Sequence, residues 1–305
     1  MSTRRQRIAI TGASGLIGGA LSSSLRADGH EVVHLVRREA KGDHERPWDP
    51  DRRVLDPAVL ADVDTVVHLA GAGVGDRRWT PTYKMLIRTS RVHGTDLVAR
   101  TVAAGAGPTR LVTASAVGFY GDRGDEVLTE ASAPGRTYLA GVVRDWEAAA
   151  APAVAAGVPV AHARTGIVLA AHGGALAPML LVGRLGIGGP LGSGRQWLPW
   201  VSLDDVVGAY TRLVEDPTLE GPVNLTAPHP ERQRELARGI GRRLHRPAVV
   251  PTPAVAMRLA IGEFAGEALA STRVLPQRLD AAGFEHRHPH LDDALDDLLS
   301  PRPTR

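Results

Sequence analysis

The segment Ile8-Ala9-Ile10-Thr11-Gly12-Ala13-Ser14-Gly15-Leu16-Ile17-Gly18 joins an apolar strand, a glycine turn and the start of a helix. Gly12 allows the tight turn, Gly15 lets the backbone approach a pyrophosphate, and Gly18 lets the helix lie close to the sheet. The N-terminus of the helix then faces the anion. Because the glycines stand between a strand and a helix, we expect Gly12, Ala13, Ser14, Gly15, Leu16, Ile17 and Gly18 to contact a dinucleotide. The alternative is a tight turn that binds no ligand.

The end of the second predicted strand indicates which dinucleotide binds. An NAD site usually has an Asp or Glu there, about 20 residues beyond the turn, that accepts hydrogen bonds from the ribose hydroxyls. This strand instead ends in Leu35-Val36-Arg37-Arg38, and two guanidinium groups suit the 2′-phosphate of NADP. Glu39 could offset one arginine, and both arginines could simply be solvated. We expect NADP(H), held by Arg37 and Arg38.

Short apolar strands alternate with helix-like segments through the first half of the chain. The predicted strands are 7–10, 31–36, 64–69, 110–114 and 158–169, and the predicted helices are 15–28, 83–104 and 140–156. This alternation indicates right-handed βαβ units around a parallel sheet. The expected fold class is α/β, with a doubly wound parallel sheet of the Rossmann type.

The second half of the chain is less regular. A glycine-rich segment, 173–194, surrounds one short apolar helix, and strands are expected at 197–203 and 222–226. An amphipathic helix is expected at 231–245, and the tail to residue 299 is mostly helical. We therefore expect an NADP-binding domain over residues 1–170, completed by about 197–228. A smaller, mostly helical substrate domain would take 171–196 and 229–305.

The composition excludes several classes of protein. The 305-residue chain is 43% hydrophobic and 23% charged, as globular proteins are, and contains no cysteine, which excludes thiol catalysis and thiolate metal sites. Its 36 Lys+Arg and 33 Asp+Glu are interspersed, and only 4% of residues are aromatic, so we expect no nucleic-acid partner.

Targeting signals are not visible. Residues 1–7 are polar and basic, and the following apolar run is broken at Thr11 and Gly12, so no signal-peptide core is expected. No run of 18 apolar residues occurs, which argues against a membrane partner. We expect a soluble, cytoplasmic protein, for which a homodimer is one assembly that the sequence allows.

Motifs in a characteristic order run through nearly the whole chain. They are Thr11–Gly18, His68-Leu69-Ala70-Gly71, Asp76-Arg77-Arg78-Trp79, Ser90-Arg91, Ser115-Ala116-Val117-Gly118-Phe119-Tyr120-Gly121-Asp122, Asp145-Trp146-Glu147, Arg164-Thr165-Gly166, Gly188–Gly194, Asp204-Asp205, Arg273-Val274-Leu275-Pro276-Gln277 and Ala282-Gly283-Phe284. In these motifs the chain resembles the extended short-chain dehydrogenase/reductase superfamily. More narrowly, it resembles the atypical epimerase-family branch, within the NAD-dependent epimerase/dehydratase superfamily, that has a C-terminal domain of unknown function.

The resemblance implies how the site is arranged. A doubly wound domain would hold NADP(H), and the smaller C-terminal domain would close over the nicotinamide. By the same resemblance, Leu69, Ala70 and Gly71 line the adenosine ribose and the diphosphate, Thr113, Ala114 and Ser115 lie under the nicotinamide, and Gly166 and Ile167 close its far side.

The catalytic set that the resemblance implies is incomplete. Active members use a Ser or Thr, a Tyr, and a Lys four residues after the Tyr. Ser115 stands at the position of that serine and Tyr138 follows 23 residues later, but Val142 replaces the lysine. A phenol without a nearby cation titrates near its reference pKa of about 10 and is a poor base at neutral pH.

A cation from another helix could compensate for the missing lysine. Lys84, Arg88 and Arg91 stand at i, i+4 and i+7 of the long predicted helix and so share one face. We hypothesise that this face turns toward the active site and that Lys84 acts there. The alternative is a solvated basic stripe.

The predicted substrate wall is apolar and aromatic. Nucleotide-sugar members carry an Arg shortly after the Gly-x-Gly loop, where this chain has Leu198 between Trp197 and the Pro199-Trp200 pair. We therefore expect a small carbonyl or hydroxyl compound with an apolar or aromatic body rather than a nucleotide sugar. The loop 76–79 could add anion contacts, or it could be a hairpin pinned by Asp–Arg pairs.

Several other polar clusters have simpler interpretations. His286, His288 and His290 alternate like metal ligands on a strand, but Pro289 interrupts them, and we expect no metal. Asp204 and Asp205 are expected to cap a helix over 206–213.

Two functions remain open at the level of sequence. The first is an NADP(H)-binding oxidoreductase or epimerase-like enzyme that uses Ser115 and Tyr138. The second, favoured by the missing lysine, is a catalytically silent NADP(H)-binding protein that senses redox state or binds a partner.

Overall fold

The structure is a computed structural model that describes residues 4–105 and 107–299. Its strands are β1 (Arg7–Thr11), β2 (Glu31–Val36), β3 (Glu45–Pro47), β4 (Thr65–His68), β5 (Arg110–Ala116), β6 (Val127–Leu128), β7 (Val160–Thr165), β8 (Ile167–Leu169), β9 (Trp197–Leu198), β10 (Trp200–Ser202), β11 (Gly221–Leu225), β12 (Glu231–Arg232) and β13 (Arg273–Val274). Its helices are α1 (Leu16–Ala27), α2 (Pro81–Ala103), α3 (Tyr138–Ala148), α4 (Ala151–Ala155), α5 (Leu176–Arg184), α6 (Leu203–Glu215), α7 (Gln233–Leu244), α8 (Ala254–Ile261), α9 (Phe264–Ala268), α10 (Gln277–Ala281) and α11 (Leu291–Leu299). Within these described ranges, no helix has the length and apolar character needed to span a membrane.

Two compact units share the chain. The first comprises the described residues up to Phe119, together with Gly141–Arg164 and Val207–Val223. The second comprises Tyr120–Ala140, Thr165–Val206 and the described residues from Asn224 onward. The domain limits expected from the sequence differ from these units chiefly at 120–140 and 197–206, which belong to the second unit. The residues 1–3, 106 and 300–305, which the expected domains also include, lie outside the described residues.

Seven strands form one sheet in the order β11-β7-β5-β4-β1-β2-β3. β1 pairs in parallel with β2 and β4, and β4 pairs in parallel with β5. Thr11 of β1 lies beside Leu35 of β2 on one side and beside His68 of β4 on the other. His68 in turn lies beside Thr113 of β5. Because the chain continues from β1 to β2 and later returns as β4, the strand order reverses beside β1, where doubly wound folds bind their ligands. The α/β, Rossmann-type sheet is confirmed.

Helices cover both faces of this sheet. Ile8, Ala9 and Ile10 point alternately to opposite faces, and all three are 0% exposed. On the Ala9 face, a core cluster joins the strands to α2 and α4 through Val66, Val98, Ala99, Val102, Leu111, Ala150 and Ala153. On the other face, α1 packs against β1 and β2. The sheet is thus buried on both sides, as the apolar strand sequences require.

The strand predicted over 158–169 is wrong as a single element. It divides at Gly166 into β7, which belongs to the large sheet, and β8, which pairs in parallel with β10. A Cβ at Gly166 would lie 2.2 Å from the carbonyl oxygen of Pro199. The close approach of these two backbones is therefore the reason that the position holds a glycine.

Proline divides two further predicted elements. The strand expected at 197–203 is split into β9 and β10 by Pro199, which has no N–H for a strand ladder. The helix expected at 140–156 is α3 and α4, and Pro152 lies in the first turn of α4. Proline is tolerated in a first turn but not in a helix interior, so the chain starts a new helix there.

Helices dominate the second unit, as expected. Its core joins α5, α7 and α11 through Leu176, Leu180, Leu236, Ile240, Leu291 and Leu295. In the glycine-rich segment, a Cβ at Gly189 would lie 2.1 Å from the carbonyl oxygen of Val250, and Leu191 forms a bridge with Thr252. The glycines after α5 therefore let two stretches of backbone pack directly on each other.

Candidate functional site

The glycine turn packs against the loop that follows β4. Gly12 has φ +70°, and a Cβ there would lie 2.9 Å from the backbone nitrogen of Ala70. A Cβ at Gly18 would lie 2.3 Å from the carbonyl oxygen of Gly12. Both positions therefore require glycine, the first for its conformation and its neighbour, the second for helix packing.

The first turn of α1 has no capping side chain. Gly15 is its N-cap, no side chain accepts a hydrogen bond there, and no acidic residue lies in the turn. Gly15 is exposed, and within 4 Å its Cβ position meets only the carbonyl oxygen of Gly12, at 3.3 Å. Because uncapped N–H groups and the helix dipole attract anions, this turn fits a diphosphate.

A buried Thr11–His68 pair holds the loop that the sequence assigns to the diphosphate. The Thr11 hydroxyl accepts hydrogen bonds from the backbone N–H of Leu69 (3.0 Å) and Ala70 (3.1 Å). Since both acceptor positions of that oxygen are then used, its proton is donated to Nδ1 of His68, 2.8 Å away. The neutral imidazole therefore carries its proton on Nε2, and burial lowers the pKa of His68 to about 4.

The two arginines after β2 are not equivalent. Arg38 makes two hydrogen bonds of 2.6 Å to the carboxylate of Glu45, in β3. The Arg38 guanidinium, followed by the backbone N–H of Lys41, lowers the pKa of Glu45 to about 2. Arg37 is exposed and makes no ion pair within the described chain. Arg37 is therefore the cation that is available to a phosphate at this strand end.

The basic face of α2 is engaged with other side chains of the first unit. Arg88 binds Asp145 at 2.8 Å, and Lys84 lies 5.9 Å from the ring centre of Trp79. Arg91 packs 5.0 Å from the Trp146 ring and donates to the carbonyl of Ala72 at 2.8 Å. A Cβ at Gly71 would lie 3.5 Å from the Arg91 side chain. Of the three cations, Arg91 thus borders the loop after β4.

Ser115 lies at the carboxyl end of β5 and is 4% exposed. Its hydroxyl donates a hydrogen bond of 2.6 Å to the carboxylate of Glu147, from α3. Arg164, at the end of β7, donates to both oxygens of the same carboxylate, each at 2.8 Å. The Arg164 guanidinium also packs 3.5 Å from the ring centre of Phe119. The serine is thus part of a buried Ser–Glu–Arg network.

The sequence interpretation missed Glu147 and Arg164 as site residues, although both lie in motifs that carry the family resemblance. Of the other residues expected under the nicotinamide, Ala114 is partly exposed, whereas the Thr113 hydroxyl lies 2.8 Å from Nδ1 of His162. Burial lowers the pKa of His162. Thr113 is thus engaged within the first unit.

Three of the expected site residues belong to the second unit. Tyr138, the first residue of α3, is half-buried, Gly166 directly precedes β8, and Ile167 is the first residue of β8. Val142, which replaces the expected lysine, is 2% exposed and belongs to the first unit.

The apolar and aromatic wall expected from Trp197, Pro199 and Trp200 also carries a cation. Trp200 is 1% exposed and donates to the carbonyl of His229, so it belongs to the core. Trp197 is partly exposed, and the guanidinium of Arg232 lies 4.0 Å from its ring centre. The accessible part of this wall is therefore aromatic and cationic.

The loop at 76–79 is held by its tryptophan rather than by Asp–Arg pairs. The Trp79 indole N–H donates to the carbonyl of Val74 at 2.8 Å, and the side chain is 8% exposed. Arg77 and Arg78 are exposed and form no ion pair with the described residues. Of the two alternatives for this loop, pinning by Asp–Arg pairs is not found among the described residues, and both arginines remain available to an anion.

The C-terminal histidines have structural partners. His286 lies 3.1 Å from the carbonyl of Thr226, and His290 stacks on His229 at 4.4 Å. His288 is 5% exposed and lies 3.0 Å from the Ser202 hydroxyl.

The acidic pair before α6 also has structural roles. Asp205 accepts hydrogen bonds from the backbone of Arg287 and His288, and the Ser202 hydroxyl, rather than an aspartate, accepts from the first turn of α6. Asp204, His288 and Asp297 bring ligand atoms within 4.8 Å of one another, but Arg287 lies 3.5 Å from Asp204 and 4.0 Å from Asp297. The arginine offsets the charge that would attract a cation.

The strand order and the glycine turn define a Rossmann-type α/β protein. The chain belongs to the NAD dependent epimerase/dehydratase family, whose model matches residues 8–225. Residues 252–298 match a second model, described as a domain of unknown function, DUF1731.

Relatives cover nearly the whole chain. An epimerase family protein of Mycobacterium bovis, Mb2239, is 43% identical over 94% of this chain and 96% of its own length. The human epimerase family protein SDR39U1, solved with NADPH, superposes with a TM-score of 0.86 at 31% identity and covers 96% of this chain and 99% of that one. The nucleoside-diphosphate sugar epimerase of Corynebacterium glutamicum superposes with a TM-score of 0.80 at 37% identity, and 97% of this chain spans only 58% of that longer protein.

Proposed function

We propose that the protein is an NADP(H)-dependent oxidoreductase or epimerase-like enzyme that acts on a small carbonyl or hydroxyl compound. One observation carries the proposal: a single edge of the parallel sheet presents the uncapped turn of α1, the free Arg37 and the hydrogen-bonded Ser115. The human relative solved with NADPH supports the choice of cofactor.

The residues of the first unit fit a phosphorylated dinucleotide. The turn from Gly12 to Gly18 and the N-terminus of α1 would hold the diphosphate, and the loop fixed by Thr11 would line its path. Arg37 would bind the 2′-phosphate, because Arg38 is already paired with Glu45. When bound, the nicotinamide supplies hydride exchange at its C4 atom.

The network around Ser115 determines what this serine can do. Because its proton is donated to Glu147, the free lone pairs of its oxygen accept hydrogen bonds from a substrate hydroxyl. To donate to a substrate carbonyl, the hydroxyl must first rotate away from Glu147. Arg164 keeps Glu147 in place through two hydrogen bonds, so the serine is ordered before substrate binds.

Tyr138 and Lys84 complete the proposed catalytic set. Tyr138 would transfer the proton of the substrate oxygen, and Lys84 would supply the missing positive charge. We also propose that the substrate is smaller than a nucleotide sugar, since Leu198, at the position of the sugar-nucleotide arginine, carries no charge and is 8% exposed.

A second candidate function is a catalytically silent NADP(H)-binding protein. It is favoured by Val142, which is 2% exposed at the place of the expected lysine, and by the Ser115 hydroxyl, whose proton already has an acceptor. Such a protein would bind the cofactor tightly and transfer no hydride.

The choice of cofactor is tested by titrating NADPH and NADH into the protein and its Arg37→Ala and Arg38→Ala variants. We expect Arg37→Ala to weaken NADPH binding by about tenfold, about 1.4 kcal/mol, and to leave NADH binding unchanged. Arg38→Ala, the matched control, is expected to cause a smaller loss, because its partner in the free protein is Glu45. Equal losses for NADPH and NADH would contradict a 2′-phosphate site at Arg37.

Catalysis is tested with NADPH deuterated at either face of C4. The protein is incubated with a desalted small-molecule extract, and mass spectrometry follows the label, with Ser115→Ala, Tyr138→Phe and Lys84→Ala as comparisons. If deuterium is transferred to one metabolite by the parent protein and not by the Ser115→Ala variant, the protein is a reductase. Bound NADPH without transfer would support the silent protein. A Lys84→Ala variant with full activity would remove Lys84 from the catalytic set.

A further inference from the structure

A cationic cluster surrounds Trp197 in the second unit. We call it the Trp197 cluster and define it as Asp125, Arg195, Trp197, Arg232 and Arg273. The guanidinium carbons of Arg232 and Arg273 lie 4.0 and 4.6 Å from the centre of the Trp197 ring. Both cations therefore converge on one partly exposed aromatic side chain.

The one carboxylate in the cluster, that of Asp125, already accepts hydrogen bonds from other members of the cluster. Asp125 accepts hydrogen bonds from the Trp197 indole at 2.7 Å and from Arg232 at 2.8 Å. The Trp197 indole first, and then Arg232 and Arg195, hold the pKa of Asp125 below its usual value. Three guanidinium groups thus share one negative charge, which leaves a local excess of positive charge.

Arg273 has no ionic partner among the described residues, and its buried Nε has no hydrogen-bond acceptor there. A buried donor without an acceptor is costly, so such groups commonly mark the place of a missing partner. Several other arginines of the second unit provide the comparison, because each has a carboxylate partner. These pairs are Arg123 with Glu126, Arg234 and Arg238 with Glu235, Arg242 with Asp292, Arg243 with Asp296 and Arg287 with Asp204.

Backbone contacts hold Arg273 and Trp197 next to each other. Thr272 donates its backbone N–H to the carbonyl of Trp197 at 3.2 Å, and the Ser271 hydroxyl accepts from the backbone of Trp197 at 3.1 Å. Arg232 pairs with Trp197 in the β12–β9 ladder. Arg232 and Arg273 therefore lie on strands that fix their backbone next to Trp197, as a prepared binding site requires.

We propose that the Trp197 cluster binds a small anionic ligand through its carboxylate or phosphate group. The edges of guanidinium groups match the oxygens of both anions, whereas an apolar ligand would leave the excess charge uncompensated. The proposed site lies entirely within the second unit, so it does not depend on the proposed function of the first unit.

The test uses the full-length protein saturated with NADP⁺, so that the phosphate sites of the first unit are filled. Phosphate and malonate are titrated separately at constant ionic strength, and tryptophan fluorescence follows binding. We expect a saturable change with at least one anion, weakened tenfold or more in Arg273→Met and about threefold in Arg273→Lys. The control Arg238→Met, an exposed arginine paired with Glu235, should bind as the parent does.

The titrations either support or overturn anion binding at the Trp197 cluster. No saturable change with either anion, or Arg273→Met affinities equal to those of the parent, would overturn the proposal. If Arg273→Met fails to fold, the exposed Arg195→Met variant replaces it, with at least a threefold loss expected and unchanged affinity overturning the proposal. The tighter of the two probes distinguishes a phosphate from a carboxylate. A separate NADP⁺ titration shows whether the proposed function itself fails.

Discussion

Ser115 and Glu147 stand 32 residues apart in the chain, and a hydrogen bond of 2.6 Å joins them. The carboxylate is 13% exposed and Arg164 is 4% exposed, so the ion pair between them is largely buried. A buried ion pair is weak evidence for stability, but removing one partner leaves the other charge uncompensated. Glu147 therefore orients the serine and also neutralises Arg164.

We expect Glu147→Gln to lower the free energy of unfolding by about 3 kcal/mol, because Arg164 would keep its charge without a carboxylate. Urea denaturation measures the change. The matched control is Asp145→Asn, two residues earlier on α3, whose partner Arg88 is 48% exposed. That variant should lose less than about 1 kcal/mol. Equal losses in the two variants would contradict a buried role for Glu147.

Because His68 is buried, we expect the free energy of unfolding to fall at acidic pH. Its pKa is lowered to about 4 by burial, whereas the unfolded chain binds this proton near pH 6.5. The unfolded state therefore holds more protons than the folded state between these values, and stability falls as the pH falls from 6.5 to about 4. The loss amounts to about 3 kcal/mol over that window.

The variant His68→Asn tests this assignment, because its Oδ1 can still accept the proton of Thr11 but does not titrate. Urea denaturation at pH 7 and pH 5 should show a smaller pH-dependent loss in the variant than in the parent. The same loss in both proteins would assign the acid sensitivity to other groups.

At the scale of elements, Gly15 and Gly18 form a matched pair in the strand–turn–helix unit. A Cβ at Gly18 meets backbone at 2.3 Å, so we expect Gly18→Ala to destabilise the fold by about 2 kcal/mol. Gly15 has φ −78°, which alanine adopts freely, and a Cβ there would meet only the carbonyl oxygen of Gly12, at 3.3 Å. Gly15→Ala should therefore lower the melting temperature less than Gly18→Ala does, and weaken NADPH binding at least tenfold. Unchanged NADPH affinity in Gly15→Ala would contradict the diphosphate assignment.

The sequence predicted helices and strands well where apolar residues recur regularly. It predicted them poorly where two distant stretches of backbone pack against each other. The glycine turn and the alternation of strands with helices were sufficient to predict the parallel sheet that carries Thr11 and His68. The break at Gly166 could not be predicted, because its cause is the carbonyl of Pro199, which is distant in sequence. Pro199 itself was a local signal that the strand expected at 197–203 would divide.

The candidate site shows the same limit. Ser115 and the residues of the glycine turn follow from motifs that are continuous in sequence. Glu147 does not, since a carboxylate within an amphipathic helix has the pattern of a solvated side chain, and only tertiary packing buries it beside Arg164. Similarly, the residues next to Arg37 and Arg38 do not show which of the two is paired. The pairing of β2 with β3 brings Glu45 to Arg38, and that ion pair leaves Arg37 exposed.

At the scale of the whole molecule, Arg110 joins distant parts of the first unit. Its guanidinium donates to the carbonyl of Leu213 and, at 3.1 Å, to that of Leu219, and it is 3% exposed. Burial lowers the pKa of Arg110 to about 10. The side chain thus anchors the segment 207–223 to β5.

We expect Arg110→Met to lower the free energy of unfolding by about 2–4 kcal/mol, because two buried carbonyl groups lose their donor. The control is Arg100→Met, an arginine that is 68% exposed and paired with Asp96, and it should lose less than about 1 kcal/mol. Urea denaturation followed by circular dichroism measures both. A loss below about 1 kcal/mol for Arg110→Met would show that the segment is held by apolar packing alone.

The two units interleave along the chain, and this has a consequence for biosynthesis. The first unit is not complete until Val223 has been made, because Val207–Val223 is its last segment. A ribosome adding about 5–20 residues per second therefore exposes an unfinished parallel sheet for tens of seconds before its final strand emerges. The first unit can therefore fold as a finished domain only after Val223 has been made, and until then apolar strands such as β1 and β4 lack their complete sheet.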